Sequence, residues 1–301
     1  MKRLTKDILL ILLFAVMQLV LFLLHFNPLV VLFFVPLYVI IARESFVVRL
    51  ALSYAIDTII LMFMGKPAIV FVYLLIVYVI PVTIYITLQY TKTHILDFSL
   101  LTAGFLLYQV LIIKALKTLY KVDIVNELIS VLKSMFEEYL KAASEDVLLD
   151  KFAEFLKLMV PGFVIVEAIT LAIITYYIIK GISKRLKINK EFLNFNMLFM
   201  PKEVTIGVVV FFVFFFFLNR ISLLYIVVSN MTIILSWLLF IQALSLIYAA
   251  ISDRVSSQVL RSWIMAVAIV FSLQFFVIMI FVGFLDLVFD FKKRGPKRVK
   301  L

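Results

Sequence analysis

Asp57 is the most unusual chemical group in this 301-residue sequence, because it lies mid-way along an otherwise apolar stretch, 47–64. Ser53 and Tyr54 precede it by about one helical turn and fall on the same side. An ionisable side chain inside a membrane span costs about 2.5–3.5 kcal/mol on insertion scales and needs a reason. Two interpretations stay open: a site for a proton, a cation or a cationic substrate group, or a carboxyl held by a hydrogen bond from a neighbouring helix.

Glu167 and Gln242 are two further polar residues in apolar surroundings. Glu167 follows Pro161 by about two helical turns, and the helix dipole favours an acid near a helix N-terminus. Glu167 is therefore either structural or part of a cavity lining. Gln242 lies within the apolar stretch 221–251 and is also predicted to line a cavity. Asp57, Glu167 and Gln242 are the candidate cavity-lining residues.

The end of the last apolar stretch, 263–285, carries the most regular polar pattern. Five residues there and just beyond it share one face at helical spacing: Ser272, Met279, Gly283, Asp286 and Asp290. The basic run 292–300 follows directly. Three interpretations stay open. The two acids pair with neighbouring bases, or Gly283, Asp286 and Asp290 form a contact surface for a cytoplasmic or membrane partner subunit, or the two carboxylates hold Mg²⁺.

The sequence offers no recognisable constellation for catalysis. Cysteine is absent, which excludes disulfides, thiolate metal ligands and cysteine nucleophiles. His25 and His94 are the only imidazoles, and their spacing matches no metal motif. No nucleotide-binding motif and no Ser-His-Asp arrangement stands out, which disfavours an enzyme acting on lipid. We therefore predict no catalytic residue, no metal and no cofactor, and a nucleotide-driven process would need another subunit.

The composition indicates what kind of structure must position these residues. Hydrophobic residues make up 65% of the chain and charged residues 16%, against about 45–50% and about 25% in soluble domains. That leaves too little polar surface for a water-soluble globule and excludes both a soluble enzyme and a disordered chain. Because the apolar residues run continuously instead of alternating, we expect membrane-spanning helices and no β-barrel. The lipid bilayer is the first predicted partner.

Nine apolar stretches are candidates for membrane spans, each of which needs about 20 helical residues. They are 8–24, 29–42, 47–64, 68–88, 98–113, 160–179, 204–218, 221–251 and 263–285. The stretches 29–42 and 204–218 are short, and 221–251 is too long for one upright span. The predicted fold is an all-α polytopic transmembrane helical bundle with eight or nine spans.

Polar residues divide these stretches into groups. Residues 1–116 are predicted to form an N-terminal membrane group of about five helices, and 160–291 a C-terminal membrane group. Between them, 117–159 has apolar residues at helical spacing with charges in between, which predicts an amphipathic extramembrane helical insert. Pro161 and Gly162 are expected to begin the helix that re-enters the membrane. Residues 292–301 form a basic cytoplasmic tail.

The formal net charge of +11 is typical of a membrane protein with basic cytoplasmic loops, and we predict no nucleic-acid partner. The loop 180–190 contains five basic residues and no acid, and the N-terminus is also basic. Both are predicted to lie in the cytoplasm. If the stretch 204–218 does not cross the membrane, the chain has eight crossings and the basic tail also lies in the cytoplasm. With nine crossings the tail would lie outside the cytoplasm. We favour eight crossings in a bacterial inner membrane, with both termini cytoplasmic.

The segment 283–293 reads Gly-Phe-Leu-Asp-Leu-Val-Phe-Asp-Phe-Lys-Lys and resembles the ending of the YybS-like family of bacterial polytopic membrane proteins. The order of membrane groups and polar insert is similar as well. Val288 stands where that family often has Trp, and Lys292 where it often has Arg. The resemblance transfers no biochemical activity. The N-terminal half of that family is distantly similar to substrate-binding subunits of energy-coupling-factor vitamin transporters, so the resemblance implies transport.

The leading functional hypothesis is a small-solute binding or transport component without its own nucleotide site. In it, Asp57 and Glu167 line the route, and the acids near the C-terminus face a partner. The alternative is a non-transporting membrane scaffold or assembly factor for envelope proteins. In that case the acid-bearing face and the insert would contact partners, and Asp57 would matter only for stability.

Overall fold

The computed structural model of the chain describes residues 8–9, 11–12, 16, 28–41, 46–63, 67–123, 126–127, 129–131, 134, 146–186, 188, 190–198, 207, 210–211 and 222–291. Eight α-helices have both ends within these residues. They are α1 (Pro28–Ile41), α2 (Phe46–Phe63), α3 (Pro67–Tyr90), α4 (His94–Ala115), α5 (Asp146–Arg185), α6 (Ser222–Arg254), α7 (Gln258–Gln274) and α8 (Phe276–Phe289). A π-helical turn follows α4, and a 3-10 turn, Phe195–Met197, precedes α6.

Five predicted apolar stretches become helices near their predicted bounds, and the described residues contain no strand. The stretches 29–42, 47–64, 68–88 and 98–113 correspond to α1 to α4, and 221–251 corresponds to α6. The all-helical fold is therefore confirmed. The stretches 8–24 and 204–218, the first part of the insert and the tail 292–301 lie largely or wholly outside the described residues.

Three helical segments are long and apolar enough to cross a bilayer within the described part of the chain. They are His94–Thr118, Glu154–Arg185 and Tyr225–Arg254. The pair α7 and α8 would supply a fourth if it formed one span despite its bend. A multi-pass membrane protein follows from these helices, because each exceeds the length that a bilayer core requires.

The chain forms two compact units. The first contains 1–157 and 167–192, and the second contains 158–166 and 193–301. Within the first unit, α3 packs most extensively against α4, and α1 and α2 pack against α3. Within the second, α8 packs most extensively against α6.

The α3–α4 pair is antiparallel and very close at one point. A Cβ on Gly104 of α4 would lie 2.5 Å from both Cγ2 and Oγ1 of Thr83 in α3. Further along, Thr91 donates a hydrogen bond to Asp97 at the turn between the helices. These two contacts fix the register of the two helices. A residue n positions before Thr83 in α3 therefore lies level with the residue n positions after Gly104 in α4.

The helix α5 runs without a break through Pro161, so the predicted helix start at Pro161 and Gly162 is wrong. Its 40 residues begin at Asp146. A proline inside a helix cannot donate to the carbonyl four residues earlier and disturbs the neighbouring hydrogen bonds. Here Asn230 of α6 compensates: its Oδ1 accepts from Gly162 N at 2.5 Å, and its Nδ2 donates to the Leu158 carbonyl at 2.8 Å. One side-chain amide thus satisfies the two backbone groups that a regular helix would pair with each other.

The predicted last helix, 263–285, is two helices. The axes of α7 and α8 differ by 109° across Phe275. Ser272 lies on α7, before the bend, so it does not continue the face that carries Gly283 and Asp286. The sequence around Phe275 contains neither Pro nor Gly, which is why a continuous helix was predicted.

The helices α6 and α8 run antiparallel with almost no space between them at Gly283. Met279 packs in a cluster with Phe240 and Ala243, whereas Leu287, further along α8, packs with Leu235. A Cβ on Gly283 would overlap the carbonyl oxygen of Leu239 and would lie 2.7 Å from its carbonyl carbon. Main-chain atoms cannot move aside by a change of rotamer. The two helices can therefore approach this closely only with glycine at position 283.

We expect Gly283→Ala to destabilise the protein by about 1–3 kcal/mol, because α8 must shift away from α6. The free energy of unfolding in detergent micelles, measured by denaturant titration, checks this. Gly181→Ala is the matched control, since a Cβ there meets nothing within 4 Å and alanine is the better helix former. Equal stability of the two variants would show that the close approach at Gly283 is not needed.

Candidate functional site

Asp57 lies on the buried face of α2 and is in contact with α3. Its side chain is fully buried. The Tyr78 hydroxyl donates to Oδ2 of Asp57 over 3.3 Å and is also hydrogen-bonded to Ser53 Oγ at 3.1 Å. A neighbouring helix therefore holds one of the two carboxyl oxygens.

The other carboxyl oxygen, Oδ1 of Asp57, is buried without a hydrogen-bond partner among the described residues. A carboxylate oxygen in apolar surroundings is costly unless something pairs with it. A proton, a cation or a donor group of a bound molecule would remove that cost. One oxygen of Asp57 is therefore held by Tyr78, and the other is available to bind such a group.

Arg49 shares this helix face and was missed by the sequence analysis. It precedes Ser53 by four residues and Asp57 by eight, so the three form one row on α2. Arg49 is buried and its charge acts on Tyr38 of α1. The regular spacing of four was the signal that would have found it.

Gln109 of α4 is a second buried polar group that was missed. Its side chain is 8% exposed, and neither its Oε1 nor its Nε2 has a partner among the described residues. Most buried amides in proteins are paired, so an amide with both ends unpaired calls for an explanation. The signal was present in the sequence, because Gln109 interrupts the apolar stretch 98–113 just as Asp57 interrupts 47–64.

Glu167 of α5 lies near Tyr108, the residue that precedes Gln109 in α4. Its carboxylate is near enough to act electrostatically on the buried hydroxyl of Tyr108. Glu167 itself is exposed on the surface of the chain. It lies 13 residues after the start of the candidate span Glu154–Arg185, so lipid facing its charge would be unfavourable.

These groups lie at one depth in the first unit. Tyr78 comes five residues before Thr83, and Gln109 comes five residues after Gly104, so the α3–α4 register places them level with each other. Asp57 joins this level through Tyr78, and Glu167 joins it through Tyr108. We call Asp57, Tyr78, Tyr108, Gln109 and Glu167 the polar belt. Asp57 and Glu167 thus belong to the same unit, with no hydrogen bond between them among the described residues.

Gln242 and Asp286, which the sequence placed in separate roles, are in direct contact in the second unit. Gln242 Nε2 donates to Asp286 Oδ2 at 2.5 Å, and both side chains are buried. Gly283 also faces α6, the helix that carries Gln242. Asp290 ends α8 in a left-handed conformation, with φ at 53°, and its N–H donates to the Asp286 carbonyl. Gly283 and Asp286 thus face α6 of the same chain, and Gln242 lies outside the polar belt.

A buried ion pair at one end of the first unit is a third feature that the sequence analysis missed. Lys190, which follows α5, lies 2.8 Å from Asp97 in the first turn of α4, and Asp97 is almost fully buried. Lys190 Nζ also donates to Thr91 Oγ1 at 2.9 Å and to the Thr87 carbonyl near the end of α3. The cation thus lies at a helix C-terminus and the anion at a helix N-terminus, where the helix dipoles favour each.

His94 and Tyr176 extend this cluster. The Tyr176 hydroxyl and His94 Nδ1 are hydrogen-bonded at 3.1 Å, and His94 Nδ1 is 3.9 Å from Asp97 Oδ2. The rings of Phe98 and Tyr176 are in contact, with centroids 4.3 Å apart. The three hydrogens of Lys190 Nζ all have acceptors within the protein. The cluster therefore serves to hold these helix ends together.

Within the described residues, no three acidic, histidine or cysteine side chains are grouped to hold a metal ion. The polar belt contains two carboxyl groups, two tyrosine hydroxyls and one amide. This chemistry suits reversible binding of a positively charged or hydrogen-bonding group.

Several long apolar helices with a few polar side chains buried between them define a polytopic α-helical membrane protein. The family described as "Predicted membrane protein (DUF2232)" matches residues 9–287, and the chain belongs to it. Comparison with the curated proteins and with the solved structures gives no match.

Proposed function

We propose that the protein binds a small solute in its first unit and acts as the binding or transport component of a membrane system, without a nucleotide site of its own. The observation that carries this proposal is Oδ1 of Asp57, a fully buried carboxyl oxygen without a partner among the described residues. An acid with only a structural role would be expected to have both oxygens paired. Solute sites of membrane transporters are formed within the membrane-spanning region, and Asp57 lies in the interior of the apolar helix α2.

The scaffold alternative has less support, because Gly283 and Asp286 pack against α6 of the same chain. The protein proposed here is not an enzyme. The distant similarity of the family's N-terminal half to substrate-binding subunits of vitamin transporters supports a solute-binding function.

The membrane topology that we propose has eight crossings, with both termini on the cytoplasmic side of a bacterial inner membrane. The contact of Lys190 with Asp97 and Thr91 supports one part of it, the shared side of the loop 180–190 and the turn between α3 and α4, because it brings both to the same end of the first unit. That turn carries Lys92 and is also basic.

We expect Asp57→Asn to abolish solute binding while the protein still inserts and folds, since Asn keeps the shape of Asp57 but removes its charge. The measurement is the rise in Tm of the purified protein in detergent across a panel of small amines, carboxylates and neutral polyols. At least one compound should stabilise the wild type and fail to stabilise Asp57→Asn.

Glu191→Gln is the matched control, because Glu191 is an exposed acid of the same unit. It should respond to the panel as the wild type does. If no compound stabilises the wild type at millimolar concentration, or if Asp57→Asn responds equally, solute binding at Asp57 is refuted.

A further inference from the structure

We propose that Asp57 holds a proton in the solute-free protein and releases it when a singly charged cation binds. The solute is then a monovalent cation that is exchanged for a proton. This exchange rests on the proposed function, because it names the charge class of the solute at the same site. The proton on Asp57 is inferred separately, from the hydrogen atoms that the contacts around it require.

A row of close oxygen–oxygen contacts joins Asp57 to the backbone of α2. Oδ2 of Asp57 lies 3.3 Å from the Tyr78 hydroxyl oxygen, which lies 3.1 Å from Ser53 Oγ. Ser53 Oγ in turn lies 2.9 Å from the Leu50 carbonyl oxygen. Each contact needs a hydrogen atom between its two oxygens to be a hydrogen bond. We call these contacts the hydroxyl row.

The hydroxyl row is one hydrogen short if Asp57 is ionised. The hydroxyls of Tyr78 and Ser53 carry one hydrogen each, whereas the row contains three contacts. Whichever way these hydroxyls point, one pair of oxygens then faces each other without a hydrogen. A proton on Oδ2 supplies the missing atom. Asp57 then donates to Tyr78, Tyr78 donates to Ser53, and Ser53 donates to the backbone carbonyl.

The surroundings of Asp57 provide no opposite charge in place of a proton. Its side chain is fully buried, and within the described residues no Lys, Arg or His forms an ion pair with it. Tyr78 and the Tyr54 ring that packs edge-on against it are neutral, as is Tyr38, which acts electrostatically on Tyr78. Arg49 lies two helical turns away, about 12 Å along the axis of α2. A proton therefore removes the cost of a bare carboxylate inside the membrane.

A proton and a bound cation are alternatives at Asp57, because each neutralises the same carboxylate. Oδ1 lies outside the hydroxyl row and has no partner among the described residues, so a cation can approach it. When the cation binds, the proton leaves Oδ2 for the solvent and Tyr78 donates to the carboxylate. The site is neutral before and after this exchange, which avoids an uncompensated charge inside the membrane. An anion or a neutral solute gives no such balance.

Difference infrared spectroscopy of the solute-free protein tests the proton. At about pH 7 an ordinary aspartate is ionised. The wild-type spectrum minus that of Asp57→Asn should nevertheless contain the carbonyl band of a protonated carboxylic acid. Glu191→Gln, which replaces an exposed acid of the same unit, should remove a carboxylate band instead. If Asp57→Asn also removes a carboxylate band, Asp57 holds no proton and the inference is overturned.

Calorimetric titration of the wild type in lipid nanodiscs tests the exchange without any variant. The probes are the chlorides of lithium, sodium, methylammonium and propylammonium, with butyrate and glycerol as comparators that should not bind. Two buffers of different ionisation enthalpy should show that about one proton is released for each cation bound. The affinity should rise about tenfold per pH unit over the range in which Asp57 holds its proton. The best probe shows whether the cation is an alkali metal ion or an ammonium group.

Ser53→Ala tests the hydroxyl row. It removes the contacts of Ser53, so the Tyr78 hydrogen alone satisfies an ionised Asp57. The best cation should then bind about fivefold more tightly at the same pH, and its affinity should level off at a lower pH. Thr58→Val is the matched control, because the Thr58 hydroxyl donates to the Tyr54 carbonyl of its own helix. It should leave the pH profile unchanged. Equal profiles for Ser53→Ala and the wild type would show that the row does not favour the proton.

Failure of the exchange and failure of the proposed function give different results. If a cation binds without releasing a proton and with an affinity independent of pH, the exchange is wrong and the solute site remains. If butyrate or glycerol binds instead and Asp57→Asn loses it, only the charge class is wrong. If neither these probes nor the wider panel bind to the wild type, the proposed function is refuted and the exchange with it. The infrared band still decides whether Asp57 holds a proton.

Discussion

Replacing Lys190 by Met should destabilise the protein by about 3–5 kcal/mol, the largest effect expected from any single substitution of a charged residue here. The variant leaves Asp97 buried, at 1% exposure, without the cation that lies 2.8 Å away in the wild type. It also removes the donor to Thr91 and to the Thr87 carbonyl, which ties the segment after α5 to the end of α3. The free energy of unfolding, from denaturant titration in micelles, measures the loss.

The chain contains a matched control for this prediction. Lys117 and Asp123 form a Lys–Asp pair at 3.1 Å, but the Lys117 side chain is 69% exposed. Lys117→Met should cost no more than about 1 kcal/mol, because solvent screens an exposed pair. Adding Asp97→Asn to Lys190→Met should restore much of the lost stability, since the uncompensated charge is gone. Similar losses for the Lys190 and Lys117 variants would contradict the importance of burial.

The helices were predictable because their cause is local. Membrane insertion depends on the summed apolar character of about 20 consecutive residues, and the stretches 68–88 and 221–251 have that character without reference to any other part of the chain. The two errors have distant or hidden causes. Asn230, which lets α5 continue through Pro161, lies 68 residues from Gly162 in sequence. The bend at Phe275 occurs in an apolar segment without a helix breaker.

The candidate site was partly predictable for a similar reason. A polar residue in an apolar stretch is visible in one sequence, which is how Asp57 was found and how Gln109 should have been found. The ion pair of Asp97 and Lys190 was not visible, because each residue looks like an ordinary charge at a helix end and they lie 93 residues apart. Their partnership depends on which helix ends meet, and spacing along the chain does not determine that.

Asn230→Leu should destabilise the protein through the two backbone groups that it leaves unpaired in α5. Gly162 N and the Leu158 carbonyl both lose the side-chain amide that now satisfies them. An unpaired buried group costs about 1–3 kcal/mol, so the loss should be several times the roughly 0.6 kcal/mol of an average interhelical hydrogen bond in a membrane. The measurement is again the free energy of unfolding in micelles.

Pro161→Ala tests the physical reason. Alanine restores the missing N–H and lets α5 close its own hydrogen bonds, so Asn230→Leu should cost much less in a Pro161→Ala background. Thr232→Val is the matched control on α6, because the Thr232 hydroxyl donates to the Val228 carbonyl of its own helix and its removal leaves α5 untouched. The cost of Asn230→Leu could instead be the same with and without Pro161. In that case the Asn230 amide does not replace the hydrogen bonds that proline disrupts, and other contacts keep α5 helical through Pro161.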